Sequence, residues 1–386
     1  MPRARCPGLF LLYKITLLLS FLLFEEFKYK RNEPVKRILA ILSLSLASIA
    51  CSCLTQTQSI KPDKTLDIYF LDMAGGASTL IVTPLGQSVL IDTGSRTPEH
   101  RDADRIYRAC ADAGLKKIDY LITTHFHTDH FGGILELSKR IPIQSFIDKG
   151  LPPEHEQNTD WFRQLYPLYQ QATKGAAKLI RPGDDVPLEN DPTGRFPPIR
   201  LYCVAANKKI EGFDGNIDTP IEGFEFKDPD TSDNARSIAL VLTYGDFKFF
   251  AGGDITWNVE HHLAHPVNRI GKVDLYQITH HGLDQSNNPL LLKAISPTVC
   301  VAMNGPKKGI QPSTFKALKT LPCVKAIYQL HYNSLYGDKG NTSPKFIANK
   351  LDPQKGRFIK ASVYPDKGTF TISIDSDAPK QTFPIQ

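Results

Sequence analysis

The sequence predicts a layered α/β fold. Apolar runs of strand length alternate with segments of helical periodicity from residue 66 onward, and this alternation occurs before and after a loop-rich stretch near residues 182–233. The chain has 386 residues, 41% hydrophobic and 22% charged, which is ordinary globular composition. Because each set of strands is interleaved with helices, we expect the helices to pack against sheets.

The first 53 residues differ from the rest and are predicted to form a leader. Two cations precede the apolar or small residues Ile38–Ala50, and Cys51 follows, which is the layout of a secretory signal. The run is shorter than the roughly 20 residues that span a bilayer. Cys51 resembles the acylated cysteine of bacterial lipoproteins, so we expect export to the periplasmic side and a lipid anchor at Cys51. Ordinary cleavage or a retained anchor are the alternatives. The upstream apolar run Leu9–Phe24 could be a membrane helix, but a signal peptide behind 34 residues would be unusual, so translation that begins near Val35 is favoured.

The charge distribution gives no general argument for nucleic-acid binding. The net charge is +6, but residues 1–50 hold eight of the 46 Lys and Arg residues and three of the 40 Asp and Glu residues. The remaining 38 basic and 37 acidic residues nearly cancel. Nucleic acid therefore stays possible only through a local basic groove. The seven cysteines form no CxxC pair, so neither a zinc ribbon nor a disulfide is predicted.

After a polar tether at residues 54–65, a domain at residues 66–386 is predicted. Its first half opens with strands separated by turn residues such as Pro84–Gly86, and one helix ends at Gly114. The predicted strands here are Leu66–Met73, Thr79–Thr83, Ser88–Asp92, Ile118–Thr124 and Gln144–Asp148. The predicted helices are Asp102–Ala113, Phe131–Arg140 and Thr159–Thr173.

The second half begins inside the loop-rich insertion, where long irregular stretches are typical of lids or substrate-binding loops. Apolar runs of strand length then return, with helix-like pieces between most of them. The predicted strands are Ile199–Ala205, Ser237–Tyr244, Phe247–Ala251, Leu275–Thr279, Val299–Met303, Ala326–Leu330 and a closing strand in GTFTISI.

A dense group of metal-ligand side chains follows one of these strands. The stretch Thr123–Gly133, TTHFHTDHFGG, holds three of the chain's 11 histidines and an aspartate within six positions. His125 and His127 point the same way in an extended segment, and Asp129 and His130 follow as the chain enters a helix. Four ligand residues at one junction are suited to a dinuclear metal site. Imidazole and carboxylate ligands suit zinc, manganese or iron.

HFHTDHFGG resembles the HxHxDHxGG signature of the metallo-β-lactamase-fold hydrolases, and the resemblance extends over about residues 66–375. VLIDTG (Val89–Gly94) resembles the family's early strand and turn, whose Asp supports the metal site. FFAGGDI (Phe249–Ile255) resembles the strand that ends in a metal-bridging Asp, and ITHHG (Ile278–Gly282) resembles the last histidine motif. The resemblance implies a four-layer αββα fold with two facing mixed β-sheets.

Within that superfamily, the chain most resembles the extracytoplasmic domain of competence-type DNA-uptake proteins and their stand-alone relatives. FLDMAGGAS (Phe70–Ser78) corresponds to their FLDVGQGDS motif. NARSIAL (Asn234–Leu240) and THHGL (Thr279–Leu283) correspond to NxRSxxL and PHHGS.

The resemblance implies two divalent metal ions, with zinc expected and manganese or iron as alternatives. The ligands carried over are His125 and His127 for metal one, Asp129, His130 and one of His280 and His281 for metal two, and Asp254 as the bridge. His281 is favoured as ligand because the general family ends this strand with Gly-His-Gly. His280 would then donate a proton or contact substrate, and the reverse assignment stays open.

Three departures from the family pattern bear on the substrate. TSDNARS replaces a further metal-one histidine of the general family and offers only Asp233 or Asn234. Competence-type relatives share this change, which predicts weaker binding or a different metal at metal one. The opening motif lacks an acidic residue of the relatives, and Gln277 stands where they carry lysine. The last two changes remove charges expected near substrate and put a nucleic-acid substrate in doubt.

These residues predict a metal-dependent hydrolase that cleaves a phosphodiester or related ester. Two divalent ions lower the pKa of water and polarise the scissile group. Asp129 or Asp254 would position or deprotonate that water, and His280 would protonate the leaving oxygen. Asn234, and with it Ser237 and Asn304, would offer neutral donors to substrate oxygens, with structural hydrogen bonds as the alternative.

Other interpretations stay open. Lactone or acyl hydrolysis is the alternative reaction, and a non-catalytic metal-binding lipoprotein or a di-iron redox protein with a flavin partner domain are the alternative classes. Two further segments have local alternatives. Lys307 and Lys308 in NGPKKG (Asn304–Gly309) could bind phosphate, although a solvated turn is favoured, and the aromatic stretch Trp161–Gln170 could line the cleft or pack in the core. No oligomeric state is predicted.

Overall fold

The computed structural model describes residues 65–350 and 355–386. The predicted leader, with Cys51, and residues 54–64 of the tether lie outside these residues, so the signal and the lipid anchor stay predictions. Within the described ranges, no helix is both long enough and apolar enough to cross a membrane.

The strands follow the predicted alternation, and shorter strands extend the sheets. The strands are β1 (Leu66–Phe70), β2 (Thr79–Val82), β3 (Ser88–Ile91), β4 (Ile118–Ile122), β5 (Ile143–Asp148), β6 (Lys178–Leu179), β7 (Asp185–Val186), β8 (Ile199–Ala206), β9 (Lys209–Ile210), β10 (Ala239–Tyr244), β11 (Phe247–Ala251), β12 (Leu275–Ile278), β13 (Val299–Ala302), β14 (Ala326–His331), β15 (Ile347–Asn349), β16 (Ile359–Tyr364), β17 (Thr369–Ile374) and β18 (Gln381–Pro384). The helices are α1 (Arg101–Asp112), α2 (Thr128–Phe131), α3 (Ile134–Ser138), α4 (Glu154–Gln157), α5 (Asp160–Thr173), α6 (Trp257–Ala264), α7 (Pro289–Ile295) and α8 (Pro312–Lys319).

The strands form two mixed sheets. The first has the order β18-β17-β16-β1-β2-β3-β4-β5-β6, and the second has the order β15-β14-β13-β12-β11-β10-β8-β7, with β9 paired to β8. In the first sheet the pairs from β3 to β6 are parallel. In the second sheet the pairs from β11 to β15 are parallel. Each sheet therefore has a parallel half, whose carboxyl ends are the common place for ligand sites.

The sheets pack face to face, and helices cover their outer faces. One core cluster joins apolar side chains of both sheets, with the Phe70 and Phe249 rings 5.8 Å apart and the Phe247 and Phe370 rings 5.4 Å apart. A second cluster packs α6, α7 and α8 on one sheet, and a third packs α1, α3 and α5 on the other. The predicted αββα fold with two facing mixed sheets is confirmed.

One predicted helix is wrong. Phe131–Arg140 was expected as a single helix, but the structure has two short helices, α2 and α3, with Gly132 and Gly133 between them. A Cβ at Gly133 would lie 2.3 Å from the carbonyl oxygen of Thr93, and one at Gly132 would lie 2.5 Å from the amide nitrogen of Arg96. The loop after β3 therefore passes against this junction, and only glycine leaves room for it.

Candidate metal centre

The predicted ligands lie at the carboxyl ends of parallel strands from both sheets. Asp92 directly follows β3, and His125 and His127 follow β4 in the first sheet. Asp254 follows β11 and His280 follows β12 in the second sheet. Because the two sheets face each other, these strand ends meet at one edge of the sandwich.

Asp254 is the point at which the segments converge. Its Oδ2 atom faces four histidine Nε2 atoms, at 3.2 Å from His130, 3.4 Å from His281, 3.5 Å from His280 and 3.9 Å from His125. None of these five side chains is more than 5% exposed. Residues predicted from three distant parts of the chain are thus brought together around one carboxylate.

Asp129 closes a second, overlapping group. Its Oδ2 atom lies 3.3 Å from His281 Nε2 and 3.7 Å from His130 Nε2. Two sets of side chains could therefore hold an ion, His125 with His130 and Asp254, and Asp129 with His130 and His281. Since His130 belongs to both sets, the two groups overlap at this ring.

Residues behind the ligands hold the rings of His130 and His281 in place. Asp92 Oδ2 lies 2.7 Å from His130 Nδ1, and the same carboxylate accepts bonds from the Thr124 amide and hydroxyl at 2.8 Å. His281 Nδ1 lies 3.0 Å from the Met303 carbonyl oxygen. Such contacts fix the ring so that Nε2 points at the metal position.

The donor set fits a divalent transition-metal ion. His125 Nε2 is buried, points at the centre and has no hydrogen-bond partner. A buried ring nitrogen without a partner is costly unless a ligand satisfies it. Imidazole nitrogens together with the carboxylates of Asp129 and Asp254 are the ligands that zinc, manganese and iron share.

The charges of the centre support the same conclusion. Burial opposes ionisation of Asp254, but His130, His280 and His281 outweigh it and hold the pKa of the carboxyl well below its usual range. Burial likewise opposes protonation of His130, yet Asp254, Asp92 and Asp129 raise its pKa well above the ordinary value. The Asp254 carboxyl is thus held in the ionised form that a metal ligand requires.

His127 lies beside the centre but outside both ligand sets. Its Nε2 atom is 3.3 Å from Glu156 Oε2, and its side chain is 24% exposed. Burial lowers the pKa of this ring, but the hydrogen bond and charge of Glu156 raise it above the ordinary value. The aromatic stretch that follows packs in or against the third core cluster, as the core-packing alternative predicts, and only its first ring, Trp161, reaches the site, 5.7 Å from the imidazole.

The segment that replaces the further metal-one histidine supplies no free carboxylate. Asp233 Oδ1 lies 2.7 Å from Lys149 Nζ, with both side chains fully buried, and Asp233 Oδ2 accepts the Phe126 amide at 2.8 Å. Lys149 and Glu156 were missed by the sequence analysis. The only available signal for Lys149 was its place just after β5, at the carboxyl end of a parallel strand.

Both candidate histidines of the HHG motif face Asp254. His280 and His281 have φ angles of 53° and 55°, a conformation that side chains other than glycine seldom adopt and that clusters at functional sites. His281 also contacts Asp129, whereas His280 Nε2 lies 3.3 Å from Asn234 Nδ2. Burial lowers the pKa of His280 to about 4, so its neutral ring can accept a bond or a ligand. Which of the two rings ligates metal two stays a prediction.

The remaining predicted polar donors have structural partners. Ser237 Oγ accepts a hydrogen bond from the Asp254 amide at 3.2 Å, and this bond positions the loop that follows β11. Asn304 Nδ2 donates to the His331 carbonyl oxygen at 2.8 Å. Asn234 is only partly satisfied, because its Nδ2 atom contacts His280 whereas its buried Oδ1 atom has no hydrogen-bond partner.

Comparisons with known proteins agree with this architecture. Residues 72–206 match the family model of the Metallo-beta-lactamase superfamily. The Lactamase-like protein notP of Aspergillus sp. (strain MF297-2) is 32% identical over 83 residues, which are 21% of this chain and 25% of that relative. This chain therefore matches about a quarter of the length of that relative.

Two solved structures are also similar. A protein of Parabacteroides distasonis ATCC 8503 is 15% identical, with 67% of this chain and 96% of the other covered and a TM-score of 0.36. CmlA, a diiron β-hydroxylase from Streptomyces venezuelae, is 15% identical, with 62% and 45% covered and a TM-score of 0.35.

The chain has the αββα fold of the metallo-β-lactamases, and residues 72–206 match the model of that superfamily. The matched segment ends at β8, so it includes the HxHxDH cluster and Asp92. Asp254 and the HHG motif lie beyond the matched segment, and the distances from Asp254 to His130 and His281 place them in the centre.

Proposed function

We propose that this protein is a metal-dependent hydrolase with a dinuclear centre that cleaves a phosphodiester or a related ester. The observation that carries the proposal is the Asp254 carboxylate, which is buried among four imidazoles at 3.2 to 3.9 Å. A buried carboxylate shared by histidines from both sheets has little structural use and suits a ligand that bridges two ions.

His125, His127 and Asp254 would hold metal one, and Asp129, His130, His281 and Asp254 would hold metal two. Divalent ions in such a site activate water and polarise the bond that is cleaved. Asp129 lies at the open side, with its side chain 23% exposed, and can orient a water molecule. His280 and Asn234 are paired beside the centre and can contact the leaving oxygen or hold it by a hydrogen bond.

The test combines metal content with hydrolysis of bis(4-nitrophenyl) phosphate by the purified chain loaded with zinc, manganese or iron. We expect metal-dependent turnover, and Asp254→Ala should lower it at least about 100-fold and reduce the bound metal. Asp246→Ala is the matched control, because Asp246 is an exposed residue of the β10–β11 hairpin. Unchanged metal content in Asp254→Ala would contradict the ligand assignment.

His130→Ala separates the dinuclear mechanism from a simpler one, because His130 is central to both ligand sets. Persistent phosphodiester cleavage by this variant would reject the mechanism. The same preparations should be assayed on a lactone and on single-stranded DNA. The first identifies the acyl-hydrolase alternative, and the second tests the competence-type likeness.

We also infer from the sequence of the leader that the protein is exported and lipid-anchored at Cys51. The expected result is a mature chain in the membrane fraction whose intact mass corresponds to acylated Cys51. Release of a Cys51→Ser variant into the soluble fraction would support the anchor. A mature chain that retains residues 1–34 would contradict it.

A further inference from the structure

We propose that the Lys308 ammonium binds the anionic group of the substrate, namely a non-bridging phosphoryl oxygen beside the cleaved bond. This inference rests on the proposed phosphodiester hydrolysis. Lys308 Nζ lies 2.5 Å from Asp129 Oδ2, so the side chain points at the metal centre. Its neighbour Lys307 is exposed to solvent instead. The turn is solvated as expected, but one of its two lysines also pairs with a carboxylate of the centre.

Lys308 lies at the open side of the centre, where a substrate has to enter. Its side chain is 39% exposed and that of Asp129 is 23% exposed, whereas the histidines around Asp254 are at most 5% exposed. Among the ion pairs of the centre within the described residues, Lys308 supplies the ammonium group. Lys149, another lysine nearby, is fully buried against Asp233.

The loop that carries Lys308 is fixed to the centre itself. The Ile310 amide donates to the His281 carbonyl oxygen at 2.9 Å, and the Gly305 amide donates to the Lys308 carbonyl oxygen at 3.0 Å. Gly309 has a φ of +83°, and a Cβ there would lie 2.2 Å from the His281 carbonyl oxygen. The backbone of Lys308 is thus held in register with a predicted metal ligand, as a substrate-binding side chain requires.

The Lys308 ammonium and a metal ion would compete for the Asp129 carboxylate. An ion held by Asp129 would draw on the same carboxylate that Lys308 contacts, and this would weaken the ion pair and leave the ammonium available to a second anion. A lysine with three donors and a flexible stem can then turn to an anionic oxygen held at the metal position. Charge-assisted bonds of this kind are among the strongest hydrogen bonds in proteins.

Inorganic phosphate is the probe that tests this assignment on the full, zinc-loaded chain. Calorimetric titration should show phosphate binding about tenfold or more weaker in Lys308→Met than in the wild type. Lys307→Met is the matched control and should stay within about twofold, and Lys308→Arg should retain most of the affinity because the charge is kept. Metal analysis should show the same zinc content in all four proteins.

Two results would overturn the proposal. Equal phosphate affinity in Lys308→Met and the wild type would exclude an anion contact. Loss of zinc from Lys308→Met would show that the lysine positions Asp129 and does not serve the substrate. Failure of the wild type to hydrolyse the bis-aryl phosphodiester is a separate outcome, because it refutes the proposed reaction while phosphate binding still tests Lys308.

Discussion

The two sides of the candidate centre are equally buried but are stabilised by different cations. On one side, which we call the His130 side, carboxylates face imidazoles that can lose their protons. Its residues are Asp92, Asp129, His130, Asp254 and His281. On the other, which we call the His127 side, one fully buried carboxylate faces an ammonium group and a second carboxylate faces an imidazole. Its residues are His127, Lys149, Glu156 and Asp233.

The difference decides where an ion can bind. An imidazole that loses its proton becomes a metal ligand, whereas the fully buried pair of Lys149 and Asp233 leaves neither group free. The pair of Lys308 and Asp129 differs because both side chains are partly exposed and can separate. The His130 side is therefore built for a metal ion, and the His127 side is partly occupied by its own ion pair. We expect metal two to bind more tightly than metal one, in line with the missing histidine at Asp233 and Asn234.

The largest effect is expected when the ion pair of the His127 side is broken. Lys149→Met leaves the Asp233 carboxylate buried without its cation, which should lower the free energy of unfolding by about 3–5 kcal/mol. Chemical denaturation measures this change. Because the His130 side does not depend on Lys149, the folded variant should keep its tightest bound ion.

The control is the double variant Lys149→Met with Asp233→Asn, which removes both charges and should recover much of the stability. Loss of the tightest ion from folded Lys149→Met would show that the two sides are not independent. If Lys149→Met is as stable as the wild type, the buried pair of Lys149 and Asp233 does not stabilise the fold.

A smaller effect is expected behind the His130 side. Asp92→Asn weakens the contact that orients His130 Nδ1 and should reduce metal affinity about 10- to 100-fold. Asparagine tolerates the φ of 62° at this position, so the turn should persist. A competitive chelator titration measures the affinity. Asp119→Asn, at a buried residue of β4 that accepts the Ser88 amide, is the control and should leave the affinity unchanged.

The smallest effect tests the premise of the comparison, that a buried carboxylate needs a buried cation. Glu260 in α6 is buried, and burial outweighs the backbone amides of Asn288 and Asn287 and raises its pKa to about 7. As pH rises from about 4.5 to 7, the unfolded chain loses this proton first, so folding stability falls across that window.

Glu260→Gln removes the proton that differs between the folded and unfolded chain. Between pH 5 and pH 8 the free energy of unfolding of the wild type should fall by about 2 kcal/mol more than that of Glu260→Gln. Urea denaturation at the two pH values measures the difference. The same dependence of stability on pH in both proteins would show that burial does not raise the pKa of Glu260. It would also contradict the premise that the buried Asp233 carboxylate needs the Lys149 ammonium.

Much of the fold was predictable because its signals are local. Apolar runs bounded by turn residues located most of the strands that form the two sheets. The single helix predicted at Phe131–Arg140 failed because the close approach of Thr93 to Gly133 is a packing contact that periodicity cannot show. Strand β16 was not predicted, although it pairs with β1 inside the first sheet.

The sequence alone determined which types of ligand side chain the centre contains, since His125, His127, Asp129 and His130 lie within six positions at the junction of a strand and a helix. The tertiary structure decided which groups share that centre. Lys308 meets Asp129 across 179 residues, and His127 meets Glu156 across 29. Such pairs arise from the way two sheets and their loops pack, and no local pattern of residues encodes a contact between segments so far apart.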